Sequence, residues 1–186
     1  MTVHSIFHSV TFESFSKITD RVRKKILELA ARGDYVLIGH SLGGILIRNA
    51  LASLPEGTKM PDRVFLLGSP ISATRTAKMM RKRWFYRQIT GDCGQLLGSD
   101  ERMNAVPVPR CPATSIVGRK NLLGLLNFFV NEPNDGIVTE SEAHSEWIAE
   151  TIIVPVSHLF LPSNRSVSQI IVDRMESKAN ENDECA

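Results

Sequence analysis

Tyr35-Val36-Leu37-Ile38-Gly39-His40-Ser41-Leu42-Gly43-Gly44-Ile45-Leu46-Ile47-Arg48-Asn49-Ala50-Leu51-Ala52 is the stretch whose reading decides the fold. Its first four residues form a short apolar, β-branched run, long enough for a strand buried on both faces. Its last eight carry apolar residues at helical spacing and are stopped by Pro55. Between them lies Gly-X-Ser-X-Gly, the pattern of a nucleophile elbow, in the strand–turn–helix context that this pattern requires. The expected turn leaves no room for side chains at Gly39 and Gly43 and presents Ser41 at its tip. The positive end of the following helix lies beneath Ser41. The Leu42 backbone N–H is the expected oxyanion donor.

Outward from the elbow, strand and helix patterns alternate. Residues 18–31 place Ile18, Val22, Ile26, Leu27 and Leu29 on one helical face and Arg21, Arg23, Lys24 and Lys25 largely on the other. Ser14 or Ser16 is the expected N-cap, and Gly33 a natural residue to follow the helix. Before it, residues 2–10 are rich in β-formers and read as a first strand. After the elbow, residues 63–67, 113–117 and 151–156 read as further strands and residues 166–175 as a final helix. This rhythm predicts an α/β three-layer sandwich: a mainly parallel sheet covered by helices on both faces. Residues 71–108 interrupt it. There, residues 74–89 read as a helix in which Arg75, Lys78, Arg81, Lys82, Arg83 and Arg87 alternate with Met79, Met80, Trp84, Phe85 and Tyr86. A lid or cap insertion, able to touch an anionic surface or an acyl chain, stands beside an ordinary solvated helix as its reading. The apolar run 121–130 is expected to pack as core rather than line an acyl pocket. One domain over residues 1–175 and a polar tail over 176–186 are the expected organisation.

The composition narrows the function classes. A chain of 186 residues, 42% of them hydrophobic, suffices for a single core, and a net charge of +2 argues against nucleic acid as the main partner. Cys93, Cys111 and Cys185 lack metal-ligand spacing, and a reduced thiol set is the simpler reading. No metal or cofactor is expected. There is no apolar run long enough to span a bilayer and no signal peptide at Met1, so the expected compartment is the cytoplasm.

Two further residues complete a chemical constellation with Ser41. Asn134-Asp135-Gly136 is a turn after a strand, which suits a carboxylate accepting a histidine N–H. Glu132 and Glu140 are weaker candidates for that role. Of five histidines, His158 alone lies just past the last strand. His40 sits inside the elbow, with its side chain expected to point away from the reacting centre. His144 is expected on a surface helix, and His4 and His8 belong to the first strand. The order Ser41, Asp135, His158 matches nucleophile, acid and base in elbow-type hydrolases.

Gly39-His40-Ser41-Leu42-Gly43-Gly44, Leu67-Gly68-Ser69-Pro70, Asn134-Asp135-Gly136-Ile137-Val138 and Val156-Ser157-His158-Leu159-Phe160-Leu161 together resemble the α/β-hydrolase superfamily, lipase/esterase branch, with a GPI inositol-deacylase-like flavour. The resemblance implies hydrolysis of a small-molecule or lipid ester through an acyl-serine, with Ser41 attacking, His158 moving the proton and Asp135 orienting the imidazole. It departs from the family at one point. No strand ending in His-Gly, the usual source of a second oxyanion N–H, precedes Gly39. The expectation is an N-terminally shortened version of the fold or one in which residues 2–10 have moved beside residues 35–38. The edge of the elbow strand is then either uncovered, which leaves a homodimer open, or paired with residues 2–10. A second function class also remains: a weakly active hydrolase-like protein that binds a ligand or partner without efficient catalysis.

Overall fold

In the computed structural model, which describes residues 2–6, 11, 13–121 and 131–184, four strands form one parallel sheet in the order β1 (Val36–His40), β2 (Arg63–Leu67), β3 (Ala113–Gly118), β4 (Glu150–Val154). The period-two alternation of side chains divides the core. Val64 and Leu66 of β2 face one way, where they meet Leu37, Ala113 and the apolar stripes of α1 (Phe15–Ala30) and α2 (Leu42–Ala52). Phe65 and Leu67 face the other way, against Ile116, Val154, Val156 and the residues Val167 and Ile171 of α6 (Arg165–Glu184). Helices, sheet and helix thus make the three expected layers. Phe65 has no exposed surface, and truncating such a side chain typically costs 3–5 kcal/mol.

Ser14 caps α1, its hydroxyl accepting the Lys17 N–H at 3.3 Å. The helix starts at Phe15, three residues earlier than its apolar periodicity indicates, because the cap and the Asp92 carboxylate, which accepts the Phe15 N–H at 3.0 Å, satisfy its first turn. Of the first strand expected over residues 2–10, residues 2–6 form no strand and residues 7–10 lie outside the described residues. β4 ends at Val154, just before Pro155. The α6 backbone continues past Met175 to Glu184, through Glu, Lys and Ala, which favour helix. Of the run 121–130 expected to pack as core, residues 122–130 lie outside the described residues.

The helix expected over residues 74–89 is broken. Thr74 caps α3 (Arg75–Met80), the chain turns through residues 81–83, and α4 runs Trp84–Leu97 with a kink at Gly91, where φ is 52°. A short α5 (Asp100–Asn104) follows. Cys93, Leu96 and Met103 join the same core as α1 and α2, so the later part of this segment is the β2-to-β3 crossover and covers the sheet. Arg48 of α2 is 2% exposed and donates to the Val106 and Pro107 carbonyls at 3.0 and 3.2 Å, tying α2 to the end of that crossover. Burial pushes its guanidinium pKa down to about 10.

Candidate active site

Ser41 stands between β1 and α2 with φ 52° and ψ −123°, the one non-glycine among the described residues with positive φ. Such a conformation costs of order 1–3 kcal/mol and persists only where the surroundings enforce it. Here they do. The Ser41 N–H donates to the Leu67 carbonyl at 2.9 Å, at the end of the neighbouring strand, and the Ser41 carbonyl accepts the Gly44 N–H at 3.2 Å. A Cβ at Gly39 would lie 2.5 Å from the Gly44 nitrogen, and one at Gly44 would lie 2.3 Å from Ser69 Oγ. At Gly43 nothing approaches within 4 Å. The crowding expected at Gly39 and Gly43 therefore falls on Gly39 and Gly44, because α2 leaves the elbow with Gly44, not Gly43, turned against β2. Leu42 opens α2, so its N–H is one of the donors that a helix leaves without an internal acceptor.

The acid and the histidine are set by two loops. Asp135 is 2% exposed. Its Oδ1 accepts the Ile137 and Val138 N–H groups at 3.0 and 2.8 Å, and its Oδ2 accepts His158 Nδ1–H at 2.7 Å. The Asp135 carbonyl accepts the His158 N–H at 3.0 Å, so the two residues are joined through backbone and side chain alike. Asn134 shapes the turn, its Oδ1 accepting from Gly136 N at 3.1 Å and from Asn121 Nδ2 at 2.9 Å. His158 is 3% exposed and opens a 3₁₀ turn, His158–Ser163. Gly68, at the end of β2 with φ 52°, makes room for the pair: a Cβ there would sit 2.9 Å from Asp135 Oδ2 and 3.0 Å from His158 Nδ1.

β1 and β4 are the outer strands among those described, about 14 Å apart at ~4.8 Å per interval, so the chain after β4 must run back across the sheet edge to approach Ser41. His40 marks where it arrives. His40 Nε2–H donates to the His158 carbonyl at 3.0 Å, and the two rings pack with centroids 4.8 Å apart at 46°. Burial first, and the neighbouring His158 second, hold the His40 pKa below its usual 6.5. The side chain expected to point away from the site thus touches its histidine. The Gly-His-Ser spelling contains the residue but not the direction of its ring, which depends on the path of the distant loop. Among the described residues no hydrogen bond joins Ser41 Oγ to His158 Nε2.

The other candidates are engaged elsewhere. Glu132 accepts from Ser141 N and Arg75 Nη1 at 2.9 Å each, and these partners hold its pKa low, Ser141 chiefly. Glu140 pairs with Arg119 at 2.7 Å. His144 is exposed and extended, just beyond a 3₁₀ turn over Ser141–Ala143 rather than on a helix. His4 lies in residues without strand structure, and His8 is outside the described residues. Glu142, in a run that reads as polar surface, is buried, and its carboxylate accepts the Arg75 and Thr139 N–H groups at 2.7 and 2.9 Å. Among the described residues no group of three or more His, Cys, Asp or Glu is placed to hold a metal ion.

No family model and no curated protein matches the chain. Solved structures do match. A metagenomic carboxyl esterase aligns over 84% of this chain and 55% of its own, with 15% identity and a TM-score of 0.66. A Bacillus licheniformis lipase in its mature form aligns over 81% and 74%, with 20% identity and a TM-score of 0.57. A thioesterase from the prodiginine biosynthetic pathway of Streptomyces coelicolor aligns over 87% and 67%, with 17% identity and a TM-score of 0.52. The chain has the α/β-hydrolase fold.

Proposed function

We propose that this chain is a serine hydrolase that cleaves small-molecule or lipid carboxylic esters, with Ser41, His158 and Asp135 as nucleophile, base and orienting acid. The observation that carries the reading is the buried Asp135–His158 hydrogen bond of 2.7 Å on the same sheet edge as a serine held at φ 52°. The shared fold with esterases, lipases and thioesterases is consistent with it but, at this identity, speaks to architecture.

In the proposed reaction Ser41 Oγ bonds to the ester carbonyl carbon as its proton passes to His158 Nε2. The carbonyl oxygen becomes an oxyanion that accepts from the Leu42 N–H. The tetrahedral species collapses, the C–O bond to the alcohol breaks, and the alcohol leaves with the proton from His158. Water then repeats the sequence on the acyl-serine. Asp135 Oδ2 fixes the tautomer with Nδ1 protonated, which leaves the Nε2 lone pair for the serine proton, and it stabilises the imidazolium.

A second reading, a weakly active protein that binds a ligand at the same sheet edge, draws on two observations: Ser41 and His158 share no hydrogen bond, and among the described residues the Leu42 N–H alone is assigned to the oxyanion. Removing a single such donor typically costs about 10²–10³ in rate. Labelling by a fluorophosphonate, with Ser41→Ala as control, separates the two. An activated serine labels and turns over p-nitrophenyl esters. An unlabelled, folded wild-type chain would sink the hydrolase reading.

A further inference from the structure

The outer face of α4 is apolar where a solvated helix is polar. At about 100° per residue, Trp84, Phe85, Gln88 and Ile89 fall within about 140° of one another, and Tyr86 and Thr90 lie on the opposite, less exposed side. Trp84 is 76% exposed and Ile89 60%, with Phe85 and Met79 also exposed beside them. Trp84 and Phe85 pack edge to face, with centroids 6.5 Å apart, and so present one joined aromatic surface. Cations adjoin it in sequence. Residues 75–91 contain no acid. Arg75 is paired with Glu132, Lys78 with Asp100, and Arg81 donates to the Gly98 carbonyl. Lys82, Arg83 and Arg87 are exposed and form no ion pair among the described residues.

We infer that the α3–α4 corner is a docking surface for an anionic lipid bilayer, with Trp84, Phe85 and Ile89 entering the headgroup layer and Lys82, Arg83 and Arg87 meeting its phosphates and carboxylates. The occupant follows from the pairing of two features. Cations alone suit any polyanion, including an acidic peptide, and exposed aliphatic and aromatic groups alone suit any apolar partner. A bilayer interface offers negative charge at the surface and hydrocarbon a few ångströms beneath it, and indole rings settle between the two. No helix among the described residues is long and apolar enough to cross a membrane, so the contact is peripheral. This surface is independent of the ester-hydrolase reading and uses none of its residues.

The test is co-sedimentation of the full chain with phosphatidylcholine vesicles, with and without about 30% phosphatidylserine. Each cation close to an anionic leaflet is worth about fivefold in partitioning. The expected result is binding at least tenfold stronger with phosphatidylserine, abolished near 0.5 M salt, and accompanied by a blue shift of tryptophan emission. The triple variant Lys82→Gln/Arg83→Gln/Arg87→Gln loses that charge preference. Trp84→Ala loses the blue shift, leaving Trp147 as the remaining tryptophan. Ser41→Ala binds as wild type, which keeps a failure of the catalytic reading separate. Circular dichroism verifies that the variants fold. Wild-type protein that ignores both vesicles, or folded variants that bind as well as wild type, overturns the proposal. So does concentration-dependent self-association that Trp84→Ala abolishes, which would assign the face to a second copy of the chain.

Discussion

Asp135 and His158 are 2% and 3% exposed and are held by polar side-chain and backbone links to each other and to Ile137, Val138 and His40. Ser41 occupies a different setting. It follows β1, which among the described residues is paired on one side only. Ile38, on that same strand, is 51% exposed, whereas its register partner Phe65 on β2 is fully buried. The Asp135–His158 pair is held by two loops against Gly68, just past the inner strand β2, whereas Ser41 follows β1 at the margin of the sheet. Electrostatic groups gain from burial only when each lone pair and proton has a partner, which the Ile137 and Val138 N–H groups and the His158 ring supply to Asp135. In its proposed role Ser41 must meet substrate, which the margin allows. The strain at Ser41 stands in for burial as the means of fixing its direction.

The sharpest way to break this contrast is Asp135→Asn. The amide keeps the shape but stabilises the wrong imidazole tautomer, so turnover of a p-nitrophenyl ester is expected to fall about 10⁴-fold with little change in far-ultraviolet circular dichroism. Retention of full turnover would move the acid's role to another residue. Gly68→Ala comes next. It combines a φ of 52° with a Cβ inside 3.0 Å of Leu161 and Asp135. A loss of about 2 kcal/mol or more is expected in urea unfolding, together with a drop in kcat.

His40 tests the join between the two halves. Deleting its hydrogen bond in His40→Ala is expected to lower kcat about fivefold with KM little changed, since a bond of this kind is worth about 1 kcal/mol. His40→Gln, which can donate to the same carbonyl, should recover part of the loss. The pH dependence has a definite sign. The folded-state pKa lies below 6.5, so below that value the unfolded chain binds more protons at this site than the folded one. His40 therefore removes stability as pH falls from about 6.5 towards its folded pKa and has no such effect above that window. Urea midpoints from pH 8 to acid are expected to decline less steeply in His40→Gln than in wild type. The smallest effect is assigned to Ile38→Thr. If the outer face of β1 is solvated, stability should change by no more than about 0.5 kcal/mol. A loss several times larger, with a dimer in light scattering, would show that a second copy covers this face in solution.

Much of this arrangement is legible in the residues. The apolar runs at 35–38 and 63–67 locate strands, although of the two only β2 is buried on both faces and Ile38 of β1 is exposed, and the spacing of Gly39, Ser41 and Gly43 locates the turn between strand and helix. The pairing of Asp135 with His158 is foreshadowed by the Asn-Asp-Gly turn and by the place of His158 just past the last strand. What escaped depends on contacts distant in sequence. Gly44 carries the crowding because of Ser69, twenty-five positions on. Glu142 is buried because two backbone N–H groups from separate segments satisfy it, a cancellation no local pattern encodes. The break after Met80 falls in a run with good helical periodicity, where the return of α4 towards the core overrides local preference.

The bond between His40 and His158 joins positions 118 residues apart. Closing it requires three successive crossovers to have laid β2, β3 and β4 in register beside β1, so it cannot form in a fragment of the sheet. Contacts of such sequence separation are slow to assemble, because chain entropy is lost before they give any return. This bond is expected to form late in folding. In a refolding experiment, secondary structure and intrinsic fluorescence should recover ahead of it, while any chemistry that depends on the position of His158 recovers only once the whole chain has been threaded into place.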